Sequence, residues 1–349
     1  MKKYPIGMYC IWPDHDYIER CIQAGVNTIG VVMTNFSLEE DISHDHYGHY
    51  FEVIEMLEKY SKDDRVDIVL IPTLNTCFAD KPERMCFHDG EKYLRRTPCP
   101  LSKEWISSRL NIVAKLVSVY NVKSVMFDVE HYNWRTPAVE EIWDGKWKPD
   151  HKCHCPRCKD FTKKEQWKLH HKEFKTQLKK MNLDESGQLA YFNLWNFDKY
   201  TGKKWLWTEK TYPIHKKPSK SLFWKHHSSM WGRKFFARLL YGQKVHISAG
   251  LWIERFTAND FIDYIELMGK KSIYDGFWIY PQARLSKHTR FKRDTQEDRY
   301  KGKEYFGLID DPHAEGSNVN FFLNLKEVIE EIKDYRKGWI FKLRNLIKL

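Results

Sequence analysis

The chain has 349 residues, a formal net charge of +11, 42% hydrophobic residues and 30% charged residues. That composition excludes a disordered chain, and no continuous apolar run reaches membrane-spanning length. The positive charge draws anions in general, so nucleic acid, an acidic glycan and an anionic membrane all stay in view and none is selected.

Residues 6–12 read as a first core strand rather than a secretory signal. Pro5 and Gly7 interrupt the apolar stretch, and Asp14 and Asp16 follow at once. A short helix over 16–24 ends at Gly25, and strand two follows over 26–34 (VNTIGVVMT). The next helix, 50–60, sets Val53, Ile54, Leu57 and Tyr60 on one face. Strand three covers 66–74, and a long loop over 75–101 carries Cys77, Cys86 and Cys99. Ser102 caps a long helix with Ile106, Leu110, Val113 and Val117 at helical spacing. Strand four covers 122–129.

Strand five is read over 188–195, a weak strand six over 204–208, and a helix over 222–240. Strand seven covers 245–253, a helix 259–268, and strand eight 273–280. Asn324 caps the last helix, with Glu327 three residues later as a capping-box partner. Near-continuous apolar strands between amphipathic helices indicate an α/β fold with a parallel sheet covered by helices. Eight βα units predict a single (β/α)8 TIM barrel with long loops after strands three, four and eight. The barrel would take in residues 1–325 with a cysteine-rich insertion at 133–160, followed by a C-terminal helix over 326–349. An open doubly wound sheet is the alternative, because no good helix separates strands five and six. No Gly-rich phosphate loop follows strand one, which argues against a nucleotide-binding version.

In a (β/α)8 barrel, function gathers at the C-terminal ends of the strands. Residues 127–134 read FDVEHYNW. Side chains alternate in a strand, so Asp128 and Glu130 face the same way. Crowded carboxylates cannot both ionise freely, which leaves one an acid beside an anion, as glycoside cleavage needs. Glu130 is the first choice as proton donor or nucleophile, with Asp128 orienting or stabilising it. Strand six offers Glu209 and Tyr212, strand seven Trp252 and Glu254, and strand eight Trp278 and Tyr280. Glu209 is the preferred partner carboxylate and Glu254 the reserve. Tyr132, Trp134, Tyr212, Trp252, Trp278 and Tyr280 are candidate substrate-binding rings, since an aromatic face stacks well on a sugar; Trp252 and Trp278 read equally as core residues.

These residues resemble glycoside hydrolase barrels. FDVEHYNW is similar to the D-x-E strand end of chitinase-type enzymes, although 122–126 lack the acids of the longer chitinase run. An acid on strand four with one on strand six resembles the α-galactosidase-type barrels. Strand four with strand seven resembles the large retaining β-glycosidase clan, but Val129 stands where that clan has Asn. The resemblance covers residues 5–282 as architecture and implies the superfamily, not a family within it. It implies a paired-carboxylate glycosidase acting on an oligosaccharide or polysaccharide, with no cofactor required for catalysis. A non-catalytic carbohydrate-binding barrel is the alternative function, and a nucleic-acid-binding protein a weaker one.

The chain has 8 cysteines. Without a secretory signal they read as reduced thiols or metal ligands, in keeping with an expected cytoplasmic location. Residues 151–158 read HKCHCPRC. Thiolates at Cys153, Cys155 and Cys158 converge easily on one ion, and His151 is the nearest fourth ligand. Four N/S ligands suit structural zinc, while an unmetallated structural loop is the equal alternative and redox chemistry a weaker one. His154 is an alternative, as is a distant cysteine such as Cys99 or Cys86. A cysteine-rich loop after strand four resembles one in several glycoside-hydrolase-like barrels, where it often opens the next helix, as CPRCKDF would here.

Residues 199–234 hold ten Lys or Arg and one acid, Glu209, interleaved with Trp205, Trp207, Tyr212, Trp224 and Trp231. The mixture suits an anionic sugar or a nucleic acid, though a solvated surface is the simpler reading and no specific nucleic acid is expected. Six basic residues lie between Lys333 and Lys348. With Trp339, Ile340, Leu343, Leu346 and Ile347 they form a basic amphipathic end that fits peripheral contact with an anionic membrane. A barrel-closing helix is the competing reading.

Overall fold

The computed structural model describes residues 4–10, 15–33, 50–72, 85–88, 92–99, 101–120, 122, 124–128, 153–180, 187–189, 205–208, 239, 244–249, 258–271, 275–279 and 318–346. In chain order its elements begin β1 (Ile6–Cys10), α1 (His15–Gln23), β2 (Thr28–Met33), α2 (Tyr50–Tyr60) and β3 (Asp67–Pro72). Then come β4 (Met85–His88), β5 (Lys92–Pro98), α3 (Lys103–Tyr120), β6 (Ser124–Asp128) and α4 (Lys163–Lys180). The last are β7 (Gly187–Leu189), β8 (Trp205–Thr208), β9 (Lys244–Ala249), α5 (Ala258–Lys271), β10 (Gly276–Ile279) and α6 (Asn318–Leu346). The chain divides into two compact units, Met1–Val31 with Lys59–Ile68 and Trp207–Leu349, and Val32–Glu58 with Val69–Leu206.

In the first unit, β1 runs parallel to both β2 and β10, and β10 runs parallel to β9. Ile6, Met8 and Cys10 of β1 and all of β10 are buried, as expected of strands covered on both faces. Asn27 pins the entrance to this sheet. Its side-chain oxygen accepts from the Ile6 N–H at 2.9 Å and its amide donates to the Tyr4 carbonyl at 2.8 Å. Its own carbonyl accepts from the Asp67 N–H at 2.9 Å. The Asn27 side chain thus sets the starting register of β1, and its backbone carbonyl draws in the start of β3. α1 ends at Gly25, which takes φ +90°, a conformation that favours glycine. The Lys333 ammonium donates to the Gly25 carbonyl at 3.0 Å.

α6 carries Phe321, Phe322, Leu325, Val328, Ile329 and Ile332 at helical spacing, all buried. Burial of each such side chain stabilises by about 1.5–3 kcal/mol. This stripe explains why α6 starts at Asn318 rather than beyond Asn324: the two phenylalanines belong to the same apolar face, and packing outweighs a local cap signal. The boundary expected between 325 and 326 falls inside this helix. α6 packs on α5, where Gly269 allows the approach; a Cβ there would overlap the Ile332 side chain. The Arg336 guanidinium donates to the Gly269 carbonyl at 2.6 Å and lies over the Tyr4 ring at 3.7 Å. Burial lowers its pKa from the usual arginine value.

In the second unit, β6 runs parallel to β3 and to β7. α3 turns Ile106, Leu110, Val113 and Leu116 inward and packs beside α4. Leu116, not Val117, completes that face. The stretch expected as one long loop contains an antiparallel hairpin, β4 with β5. Its signal was present in the Asp89-Gly90 pair between the two strands, a favoured hairpin turn. CPRCKDF forms turns rather than the first turn of a helix, and α4 begins at Lys163. Thr162 and Glu165 explain that start. The Glu165 carboxylate accepts from the Thr162 N–H at 2.8 Å and its hydroxyl at 2.7 Å, while the Glu165 N–H donates to that hydroxyl at 3.3 Å. The helix expected over 222–240 lies outside the described residues apart from the helical, exposed Leu239. Among the described residues no helix is long and apolar enough to cross a membrane.

Candidate metal centre

Two tight turns bring four cysteines together. In the first, the Ser102 N–H donates to the Cys99 carbonyl at 3.1 Å, directly ahead of α3. In the second, the Cys158 and Lys159 N–H groups donate to the Cys155 carbonyl at 2.8 and 2.9 Å. Proline follows both Cys99 and Cys155 in the sequence, and proline presets the backbone for the second position of such a turn.

The sulfurs of Cys99, Cys153, Cys155 and Cys158 all lie within 4.8 Å of one another. Cys99 Sγ is 3.5 Å from Cys155 Sγ and 3.4 Å from Cys158 Sγ. A disulfide needs about 2.0 Å, so these are four separate thiols. Sulfurs bound tetrahedrally to one ion at about 2.3 Å would stand about 3.8 Å apart. All four cysteines are buried, with Leu101 packed against them.

Gln166, fully buried in the first turn of α4, holds this loop by its backbone. Its amide nitrogen donates to the carbonyls of Cys153 at 2.7 Å, Cys158 at 2.8 Å and Phe161 at 3.3 Å. Its oxygen accepts from the Cys153 N–H at 3.1 Å. A helix whose start is set by Thr162 and Glu165 therefore fixes the path of three cysteines through one glutamine.

Four thiols in a dry site cannot all ionise. Hydrogen bonds with Cys153 and Cys155, and then burial, hold Cys99 well above the ordinary thiol range. Cys158 is raised by hydrogen bonds with Cys153, Cys155 and Cys99. For Cys155 the bond with Cys153 pushes upward, but those from Cys158 and Cys99 outweigh it and bring the group down to about 7. The arrangement gathers four sulfur donors around one point.

The sequence places three of these cysteines together, and the structure adds Cys99 as the fourth. His154 is half-buried and stands outside the converging set; His151 lies outside the described residues. Asp128 is the last residue of β6. Glu209 directly follows the end of β8, and Tyr280 directly follows the end of β10. Glu254 comes after β9 ends at Ala249. Glu130, Tyr132, Trp134, Glu209, Tyr212, Trp252, Glu254 and Tyr280 lie outside the described residues. Trp278 is fully buried inside β10, its indole so close over Gly7 that a Cβ there would overlap the ring. It occupies a core position.

No family model matches the chain, and no curated protein matches its sequence. Among solved structures, ZgEngAGH5_4 in complex with a cellotriose matches with a TM-score of 0.51 and 7% identity, over 93% of this chain and 95% of that one. The catalytic domain of beta-amylase from Paenibacillus polymyxa matches with a TM-score of 0.47 and 10% identity, over 85% of this chain and 97% of that one. The glycoside hydrolase domain of PelA from Pseudomonas aeruginosa gives 0.44 and 8%, over 79% and 94%. At such identities a likeness speaks for fold alone. The likeness to ZgEngAGH5_4 supports an α/β fold, and no family is assigned.

Proposed function

We propose that this protein is a glycoside hydrolase-like enzyme that cleaves a glycosidic bond with paired carboxylates on a (β/α)8 barrel. The observation that carries the reading is β6. It runs parallel to its neighbours and ends at Asp128, so the sequence Asp-Val-Glu comes at the carboxyl edge of the sheet, where such folds carry their chemistry. The parallel pairings within each unit, β1 with β2 and β10, β10 with β9, and β6 with β3 and β7, support the barrel, because each joins strands of successive βα repeats or the last repeat to the first. Residues 1–325 form the proposed catalytic barrel, with the insertion at 133–160.

Two residues apart in an extended chain, Asp128 and Glu130 share a face. Glu130 serves as proton donor or nucleophile, and Asp128 orients or stabilises it. Glu209 is the partner carboxylate, with Glu254 in reserve. Spacing of the two reacting carboxyls by about 5 Å would give retention and about 6.5–9.5 Å inversion. The substrate is an oligosaccharide or polysaccharide; the +11 charge favours an anionic one.

A glycan library tests the proposal. The wild-type protein hydrolyses a member of the library, and Glu130→Gln lowers turnover about 10²–10⁴-fold, or more if Glu130 is the nucleophile, with the fold kept. Unchanged turnover in that variant removes Glu130 from the chemistry. Binding without turnover by the wild type points to a carbohydrate-binding barrel instead, and steeply salt-dependent binding to random DNA points to nucleic acid.

The end of α6 adds a second proposed contact, with an anionic membrane surface. Lys333 and Arg336 are engaged with Gly25 and Gly269, and Lys337 pairs with Asp334 at 3.1 Å, so the surface charge would come from Lys342, Arg344 and Lys348. A Cβ on Gly338 would meet nothing within 4 Å, which suits a change from packed helix to free helix at that point.

A further inference from the structure

We propose that Cys99, Cys153, Cys155 and Cys158 form a closed four-thiolate site for a single zinc ion. Their sulfurs converge within 4.8 Å, too far apart for disulfides and close to the edge length of a zinc–sulfur tetrahedron. Tetrahedral sulfur sets of this kind select zinc or iron among biological metals. All four sulfurs are buried, which suits an ion closed off from solvent rather than a reactive thiol cluster. Binding leaves every oxidation state unchanged: each thiol gives up its proton to solvent as its sulfur bonds the ion. Four protein sulfurs complete the coordination shell, which leaves no position for substrate and makes the role structural.

The site is built from two places in the chain. Cys99 closes the segment after β5 and opens the turn into α3. The other three come 54 or more residues later, and Cys155 is 56 residues from Cys99. One ion therefore ties the approach to α3 to the approach to α4. It also anchors one end of the 129–152 segment, whose other end leaves β6 at Asp128. Gln166 acts as a positioning residue. It holds the backbone of Cys153 and Cys158, the kind of outer-layer bond that fixes ligand direction in metal sites. The proposal stands independently of the glycosidase reading.

The test uses the full chain, purified under reducing conditions without added metal. Elemental analysis finds about one zinc per chain, and X-ray absorption at the zinc edge finds four sulfur neighbours and no nitrogen. Cys99→Ser loses the zinc on desalting, while His151→Ala keeps it. Should Cys99→Ser fail to fold, exchange of zinc for cobalt in the wild-type protein reads the same geometry through the thiolate-to-cobalt charge-transfer bands of a tetrahedral site. Reduced, metal-free protein that takes up neither zinc nor cobalt would overturn the proposal. So would iron in place of zinc, a disulfide through Cys99 in the mass spectrum, or zinc retained by Cys99→Ser and lost by His151→Ala.

Discussion

Along α6, Phe321, Leu325, Ile329 and Ile332 are buried without a polar side-chain atom among them, whereas the start of α4 buries four sulfurs and the Gln166 amide. The first region is held by burial of apolar area, which is non-directional and scales with the volume filled. The second is held by directional bonds, and each lost partner leaves a buried polar group exposed to no solvent. The apolar region should therefore lose stability in proportion to volume removed. The sulfur region should fail as a unit.

The sharpest way to break this contrast is to strip the proposed zinc. Under reducing conditions, a strong chelator should lower thermal stability by several kcal/mol, on the order of the linkage seen when metal binding and folding are coupled. A melting temperature indifferent to chelator would make the two regions alike. Next in size, Phe321→Ala should cost about 3–5 kcal/mol by leaving a cavity, with zinc content unchanged. Loss of zinc in that variant would show that the two regions are not independent. Gly269→Ala should cost about 1–3 kcal/mol through overlap with Ile332, less the roughly 1 kcal/mol that alanine gains in helix propensity. Shortening the partner with Ile332→Val should recover part of that loss in the double variant, a coupling that urea titration can resolve.

The smallest effect belongs to the surface beside this packing. Lys270 bonds Glu266 at 2.7 Å and Glu331 at 2.6 Å. Those two hydrogen bonds raise its pKa. A raised lysine pKa adds stability that is fully present at neutral pH and fades as pH rises through the folded value. Lys270→Met should thus cost no more than about 1 kcal/mol at neutral pH, and the difference from wild type should shrink in alkali and in high salt. A larger, salt-independent loss would mean that the side chain acts through packing.

Helices were the more legible elements. The 50–60 helix emerged with the expected bounds, and Ile106, Leu110 and Val113 of the α3 face followed from 3.6-residue spacing, with Leu116 in place of Val117. The hairpin was overlooked although Asp89-Gly90 marks it. Cysteine spacing brought Cys153, Cys155 and Cys158 together, since three thiols within one short turn-rich segment can hardly avoid one another. Of the proposed catalytic residues, Asp128 is described only as the end of β6, and its placement there agrees with the strand expected from 122–129.

By itself, the sequence determined the α/β class, the order of the strands and helices apart from the β4–β5 hairpin and α4, and the local cysteine trio, because periodicity, caps and short spacings act over a few residues. The tertiary structure alone decided that Cys99 joins the trio, that Gln166 clamps its loop, that Gly269 receives Ile332 and that Trp278 lies over Gly7. Each of these pairs residues distant in the chain or places a side chain by the packing of its neighbours. No local propensity encodes such a contact; it exists only once parallel strands have set the register and the helices have been laid against them.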